Sequence, residues 1–351
     1  MGAQYCAVSA KLKAMYGSCL DADDYNELLS RRTVPEICGY LKQNTVYAKA
    51  LEGYNEETAH RGVLETKLMT RLFDEYSRLY TFMNQKQRSF LGLWNMQWEI
   101  RVLQRAMRYI VNHEEIPLPE EWFGDDATER EIKKHTKIKL DALAAARSMS
   151  EVISACENTP YKEILETGDK LNLDLFSSGM RLDRFYIETL WKAKNSLERE
   201  DKDAFASWLG TDIDMMNIMW IYRGKKFWDF SNERIYTYIL PIRYRLSSDD
   251  ISRMVQSDDP KTLEEYVKTN TIYGDLFDSH GEGIFIEENY NYIAHKKARS
   301  IMSAHPLTMA AVYAYINIKE LEISNITIII EGIRYGINPD NIKKHIKIGG
   351  I

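Results

Sequence analysis

Glu322-Ile323-Ser324-Asn325-Ile326-Thr327-Ile328-Ile329-Ile330 is the stretch on which the fold turns. Taken alone, the β-branched run from Ile326 to Ile330 reads as a strand. Two earlier stretches share its layout of an acid, an apolar residue, two intervening positions and a second apolar residue: Glu99-Ile100-Arg101-Val102-Leu103 and Asp214-Met215-Met216-Asn217-Ile218. The three acids stand 115 and 108 residues apart, each close to one third of the 351-residue chain. The segments that follow the first two, Leu103 to Arg108 and Ile218 to Arg223, are rich in Leu, Met, Arg and Ala and favour helix. The repeat therefore predicts a helix at Ile326 to Ile330 too, and a helix apolar nearly all round is a buried one.

Two further marks recur in the same order. One is a helix start of the capping-box kind, at Thr33-Val34-Pro35-Glu36, Ser148-Met149-Ser150-Glu151 and Ser247-Ser248-Asp249-Asp250. In each, a hydroxyl accepts from the third backbone N–H and the acid three residues on reaches back. The other is Asn44-Thr45-Val46-Tyr47, echoed 114 residues later by Asn158-Thr159-Pro160-Tyr161, with a degraded third copy expected at Ser257-Asp258-Asp259-Pro260. Common order at a common period marks an internal repeat. It divides the chain into three helical units, residues 1–116, 117–242 and 243–351 of one integrated body.

Helical spacing runs through the rest. Tyr5, Val8, Leu12 and Met15 share the face of an opening helix. Leu64, Leu68, Leu72, Tyr76, Leu79 and Met83 predict one long helix from about Thr58 to Phe90, and Leu175, Met180, Phe185, Leu190 and Leu197 another. The class is all-α.

Composition narrows the function. Hydrophobic residues at 44%, charged residues at 28%, and only 18 Gly and 8 Pro describe an ordered globular chain. A formal net charge of −6 argues against a nucleic-acid partner, which demands a broad basic surface. Four cysteines without CxxC spacing (Cys6, Cys19, Cys38, Cys156) read as reduced thiols. No run reaches the roughly 18 apolar residues of a membrane span, and no apolar signal core follows Met1, so the expectation is a cytosolic chain without a transmembrane segment. The seven histidines show no HExxH or Cys-paired metal spacing, and GxxxxGK is absent, as is GxSxG beside His280-Gly281-Glu282-Gly283. No catalytic, cofactor or metal residue is assigned.

Against this background the C-terminal run His305-Pro306-Leu307, Tyr315, Lys319-Glu320, Glu322-Ile323, Asn325-Ile326, Ile328-Ile329, Gly332 and Gly336-Ile337 resembles the closing signature of the C subunit of A/V-type rotary ATPases, whose eukaryotic counterpart is the d subunit. Asp214, Asn217-Ile218 and Arg223-Gly224-Lys225 are similar to its second copy. Tyr5, Ala7-Val8, Lys11-Leu12-Lys13-Ala14, Leu20 and Tyr25-Asn26-Glu27-Leu28-Leu29 resemble its N-terminus. The chain departs from the family at Thr327, Glu331 and Ile333, where basic residues are usual, and at Val102, which replaces an Asn.

The resemblance implies a funnel-shaped, all-helical protein of three similar parts around a pseudo-threefold axis. It implies a non-catalytic central-stalk socket on the cytoplasmic side of the proteolipid ring, peripheral to the membrane. There it receives the tip of the central shaft, built of the D and F subunits, and links ATP hydrolysis or synthesis to proton or sodium transport.

Two readings attach to each candidate site. Asp214 with Asn217, and Glu322 with Asn325, share helix faces. They are either a polar lining of the funnel or buried polar groups satisfied by neighbouring helices. Arg101, Arg105 and Arg108 form a basic stripe, matched by Arg223, Lys225 and Lys226 in the second copy. These cations either grip an acidic partner or the ring loops, or are a solvated face. The functional alternative of another class is an all-α isoprenoid diphosphate enzyme holding Mg²⁺ through Asp125-Asp126-Ala127-Thr128-Glu129. That acid cluster also reads as a helix N-terminus favoured by the dipole. A helical adaptor unrelated to rotary motors is the third reading.

Overall fold

The computed structural model describes residues 5–55, 61–116, 133, 135–171, 174–278 and 286–346, and among them every regular element is helical. Asp125, Asp126 and Glu129, and the stretch from His280 to Gly283, lie outside the described residues. In chain order the helices are α1 (Cys6–Tyr16), α2 (Ala22–Ser30), α3 (Val34–Asn44), α4 (Arg61–Thr81), α5 (Gln85–Leu91), α6 (Trp94–Val111), α7 (Leu140–Ala145), α8 (Met149–Ala155), α9 (Tyr161–Lys170) and α10 (Leu175–Ala193). They continue with α11 (Arg199–Lys226), α12 (Asn232–Tyr238), α13 (Ser248–Gln256), α14 (Pro260–Asn270), α15 (Ile286–Ala304), α16 (Met309–Arg334) and α17 (Pro339–His345). The chain forms two compact units, one of Arg31–Leu190 and one that joins Met1–Ser30 to Trp191–Ile351.

The helix starts behave as the sequence predicts, with one shift. Thr33 and Ser148 each accept from the backbone N–H three residues on, but their acids reach past the cap: Glu36 accepts from the N–H of Arg32 at 2.9 Å and Glu151 from that of Arg147 at 2.5 Å. Only Ser247 and Asp250 close a reciprocal box. The expected helix over residues 58–90 is two helices, because Asn84 and Gln87 form a capping box of their own at the start of α5; Thr58 lies outside the described residues.

The third copy of the Asn-Thr turn is not at Ser257 but at Asn270-Thr271-Ile272-Tyr273. In all three turns the Thr hydroxyl accepts from the Tyr N–H two residues on, at 3.2 Å for Tyr47, 3.3 Å for Tyr161 and 3.1 Å for Tyr273. The same hydroxyl donates back to a carbonyl of the preceding helix turn, Leu41, Cys156 or Val267. Counted from this turn, the counterpart of Thr33 and Ser148 is Asp259, which accepts from the N–H groups of Lys261 and Thr262.

In the unit Arg31–Leu190, α6 presents Ile100, Leu103, Ala106 and Met107 to the interior. Trp94 there packs between Phe73 and Tyr76 at ring separations of 5.4 and 5.1 Å. In the other unit, α16 is buried almost throughout, including Ile326 and Ile329, so tertiary packing overrides the β preference of Ile326 to Ile330. The N-terminal helices join this unit through side chains: the Tyr5 hydroxyl donates to Asp201 at 2.5 Å, and the other Asp201 oxygen accepts from the N–H of Met309. A core of Met215, Ile218, Ile221, Ile251, Met254 and Phe277 lies around α11 in the same unit.

The three helices that carry the repeated stretch, α6, α11 and α16, end alike. Within three residues of each end comes a left-handed residue, His113, Asp229 or Gly336, with φ of 58°, 47° and 66°. Each is followed by an N–H that turns back onto a carbonyl near the helix end: Glu114 onto Tyr109, Phe230 onto Gly224, and Ile337 onto Gly332, at 2.9, 2.9 and 2.8 Å.

Candidate functional site

The three acids that open the repeated stretch are buried, and each spends its carboxylate on an element distant in sequence. Glu99 accepts from the hydroxyl of Tyr161 at 2.6 Å, 62 residues on. Asp214, fully buried, accepts from the hydroxyl of Tyr273 at 2.8 Å and from the backbone N–H groups of Arg245 and Leu246 at 2.7 and 3.1 Å. Glu322 accepts from the N–H of Leu20 at 2.7 Å and pairs with the buried Lys319. Burial raises the Asp214 carboxyl above the usual carboxylate range, while the backbone and Tyr273 donors pull it back down. Burial beside the acids likewise raises the phenols of Tyr161 and Tyr273, so both stay protonated donors.

The asparagines three residues on act similarly where they exist. Asn217 bonds both polar groups of Leu240, accepting from its N–H at 2.8 Å and donating to its carbonyl at 3.3 Å. Asn325 donates to the Tyr25 hydroxyl at 3.4 Å. These four residues, Asp214, Asn217, Glu322 and Asn325, are thus engaged inside the chain, where removing one partner strands a buried polar group.

The cations separate into two kinds. In the second copy Arg223 lies over the Trp228 ring and 3.6 Å from Glu287, and Lys225 donates to the Ser257 carbonyl and to Asn232. Both are held by their own unit. Arg101, Arg105 and Arg108 are exposed along α6 and line a cleft of about 680 Å³ between α4 and α6. Val102, which stands where the other helices carry Asn, lines the same cleft. The tyrosine partners, Tyr161 and Tyr273, do not stand out in the sequence; the one signal for them is their place in the Asn-Thr turn.

No described helix is long and apolar enough to cross a membrane, and no group of three His, Cys, Asp or Glu side chains among the described residues is placed to hold a metal ion.

Comparison with known proteins gives one consistent answer. The chain is 26% identical over 337 residues to the C subunit of the A-type ATP synthase of Methanobrevibacter smithii, covering 93% of this chain and 83% of that one. It is 23% identical over 349 residues to the C subunit of the A-type ATP synthase of Thermococcus kodakarensis, covering 97% and 90%. It is 24% identical over 370 aligned positions to the corresponding protein of Methanocaldococcus jannaschii, covering 97% and 86%. The family described as ATP synthase (C/AC39) subunit matches residues 8–345, from the opening helix past the three buried acids to the last helix, and the chain belongs to that family.

Proposed function

We propose that this chain is a non-catalytic central-stalk component of an A/V-type ATPase, joining the rotor shaft to the membrane proteolipid ring and so coupling ATP hydrolysis or synthesis to proton or sodium transport. The observation that carries the reading is the family match over residues 8–345, with relatives named as the C subunit of A-type ATP synthases over more than nine-tenths of the chain. The match extends over 83% and 90% of the length of two of those relatives.

The internal chemistry supports it. A part that transmits torque must resist deformation, and buried acids that each tie one long helix to a distant segment supply such stiffness. In this reading three similar helical units, residues 1–116, 117–242 and 243–351, stand around a pseudo-threefold axis as a funnel. Glu99, Asp214 and Glu322 hold equivalent places, each fastening its long helix to the next unit in cyclic order. The D and F subunits of the shaft enter the funnel, and the ring lies below it on the cytoplasmic face of the membrane.

Affinity capture of the chain from gently solubilised membranes, followed by identification of the bound chains, tests the reading. Co-recovery of shaft and proteolipid components, with coupled ATPase activity lost on deletion and restored by re-addition, is the expected result. Capture of the chain free of both, or turnover of prenyl diphosphates with Mg²⁺, overturns it.

A further inference from the structure

We propose that the cleft between α4 and α6 binds a small aromatic anion bearing more than one phosphate, a nucleoside diphosphate in chemical class. The site lies within one compact unit and does not depend on the coupling role proposed above. Its volume, about 680 Å³, falls in the range of small-molecule sites rather than of flat protein contacts.

Its position is set by a difference among the three helices that carry the repeated stretch. At the third residue after the acid, α11 and α16 carry Asn217 and Asn325, both buried and bonded onto neighbouring segments. The same place in α6 holds Val102, which makes no such bond and faces the cleft. Among the described residues, the α6 face therefore borders a cleft where the other two are bonded onto neighbouring segments.

The lining is amphoteric. Arg101, Arg105 and Arg108 stand along α6 over about 10 Å of helix rise, and guanidinium forks match phosphate oxygens in pairs. Arg105 and Arg108 form no ion pair among the described residues; Arg105 instead lies 5.9 Å from the centre of the Tyr109 ring. Trp98, one turn before Arg101, is held edge-on against Phe73 at 6.0 Å, which fixes an aromatic surface at one end of the cleft.

Glu65 and Glu114 complete the lining. Their carboxylates offer acceptors to the sugar hydroxyls and ring amino group of a nucleotide, donors that a bare phosphate or a carboxylate side chain lacks. Cations, an aromatic platform and acceptors in one small concavity thus favour a nucleotide over a purely acidic partner.

The test is calorimetric titration of the full chain with ADP, adenosine and pyrophosphate in the absence of Mg²⁺, repeated on the double variant R105E/R108E. Both arginines are exposed, so the thermal unfolding of the variant is expected to match the wild type. The expected result is saturable ADP binding, weakened about tenfold or more both by the double substitution and on removal of either half of the ligand. Absence of binding at millimolar ADP, equal affinity for pyrophosphate and ADP, or unchanged affinity in R105E/R108E overturns the proposal. Displacement of ADP by a short polyglutamate peptide at lower concentration than by pyrophosphate also overturns it, in favour of an acidic protein partner.

Discussion

The backbone N–H of Leu20 donates to the Glu322 carboxylate at 2.7 Å across 302 residues of sequence. Leu20 lies in the link between α1 and α2, while Glu322 lies midway along α16 and also holds the ammonium of Lys319, itself 1% exposed. One carboxylate thus neutralises a buried cation and fixes the entry to α2. Glu322→Ala takes the carboxylate away from the buried Lys319 ammonium and the Leu20 N–H, and a loss of about 3–5 kcal/mol in unfolding free energy is expected. Glu322→Gln, which keeps an acceptor oxygen, is expected to lose less. Urea unfolding of both variants, with amide exchange at Leu20, separates the outcomes; equal stability of E322A and wild type contradicts the assignment.

Asp214 gathers donors from two directions, so truncating it and truncating one of its donors should differ in size. Asp214→Ala strands the N–H groups of Arg245 and Leu246 and the Tyr273 hydroxyl, and a cost of about 3 kcal/mol or more is expected. Tyr273→Phe removes one donor and leaves the carboxylate its backbone bonds, with an expected cost of about 1–2 kcal/mol. A D214A/Y273F cycle in chemical denaturation is expected to be non-additive; strictly additive losses would dissolve the pairing.

Gly210 lies so close to Tyr244 that a Cβ there would sit 2.4 Å from the ring's Cγ and 2.8 Å from its Cβ. The obstacle is the root of the ring rather than a mobile tip, so Gly210→Ala is expected to cost about 1–3 kcal/mol through forced displacement. Tyr244→Ala should relieve much of that cost in the double variant, measured as a coupling energy by thermal unfolding.

Asp212 and His295 give opposing pH dependences. Burial lifts the Asp212 carboxyl, which accepts from Tyr290, to about 6. The folded chain therefore holds that proton more tightly than the unfolded chain, and this term lowers stability as pH rises from about 4 to 6. Burial, with Arg299 adding repulsion and Glu322 opposing it, lowers His295 to about 4. The unfolded chain then takes that proton first as pH falls below about 6.5, so this term lowers stability in the other direction. Across pH 4–6.5, Asp212→Asn should make the stability curve rise more steeply with pH than wild type, and His295→Gln less steeply. Urea midpoints at half-unit pH steps check the signs; parallel curves for all three proteins would refute both terms.

The helices are legible in the sequence because their signals are local. The β-branched run Ile326 to Ile330 finds its place by comparison with its counterparts in the repeat, of which Leu103 to Arg108 consists of residues that favour helix unaided. The break at Asn84 escapes a periodicity reading because Leu79 and Met83 keep the helical spacing beyond the last residue of α4, Thr81, and spacing does not register a cap. The third Asn-Thr turn is misplaced by following Pro160 to Asp259-Pro260, whereas the hydrogen bonds use only Thr271 and the Tyr273 N–H. The middle position, filled by Val46, Pro160 or Ile272, carries none of the pattern. The bonds from Tyr161 to Glu99 and from Tyr273 to Asp214 join residues about 60 apart, and one sequence holds no record of such pairing. The Arg stripe is visible on α6 alone, but its cleft is made by the facing residues of α4, so its concavity lies beyond any single helix.

Because α1 and α2 belong to the same compact unit as α16, the order of synthesis works against the order of assembly. Residues 5–30 leave the ribosome some 300 residues before Met309 and Glu322 exist, a wait of roughly 15–60 s at cellular elongation rates. Throughout that interval Val8, Leu12 and Met15 on α1, and Leu28 and Leu29 on α2, lack their final cover in the unit. The intervening unit Arg31–Leu190 is complete in sequence long before then. The newborn chain therefore carries these apolar side chains without their final cover while some 300 further residues are made, the kind of transient exposure on which a holding chaperone acts.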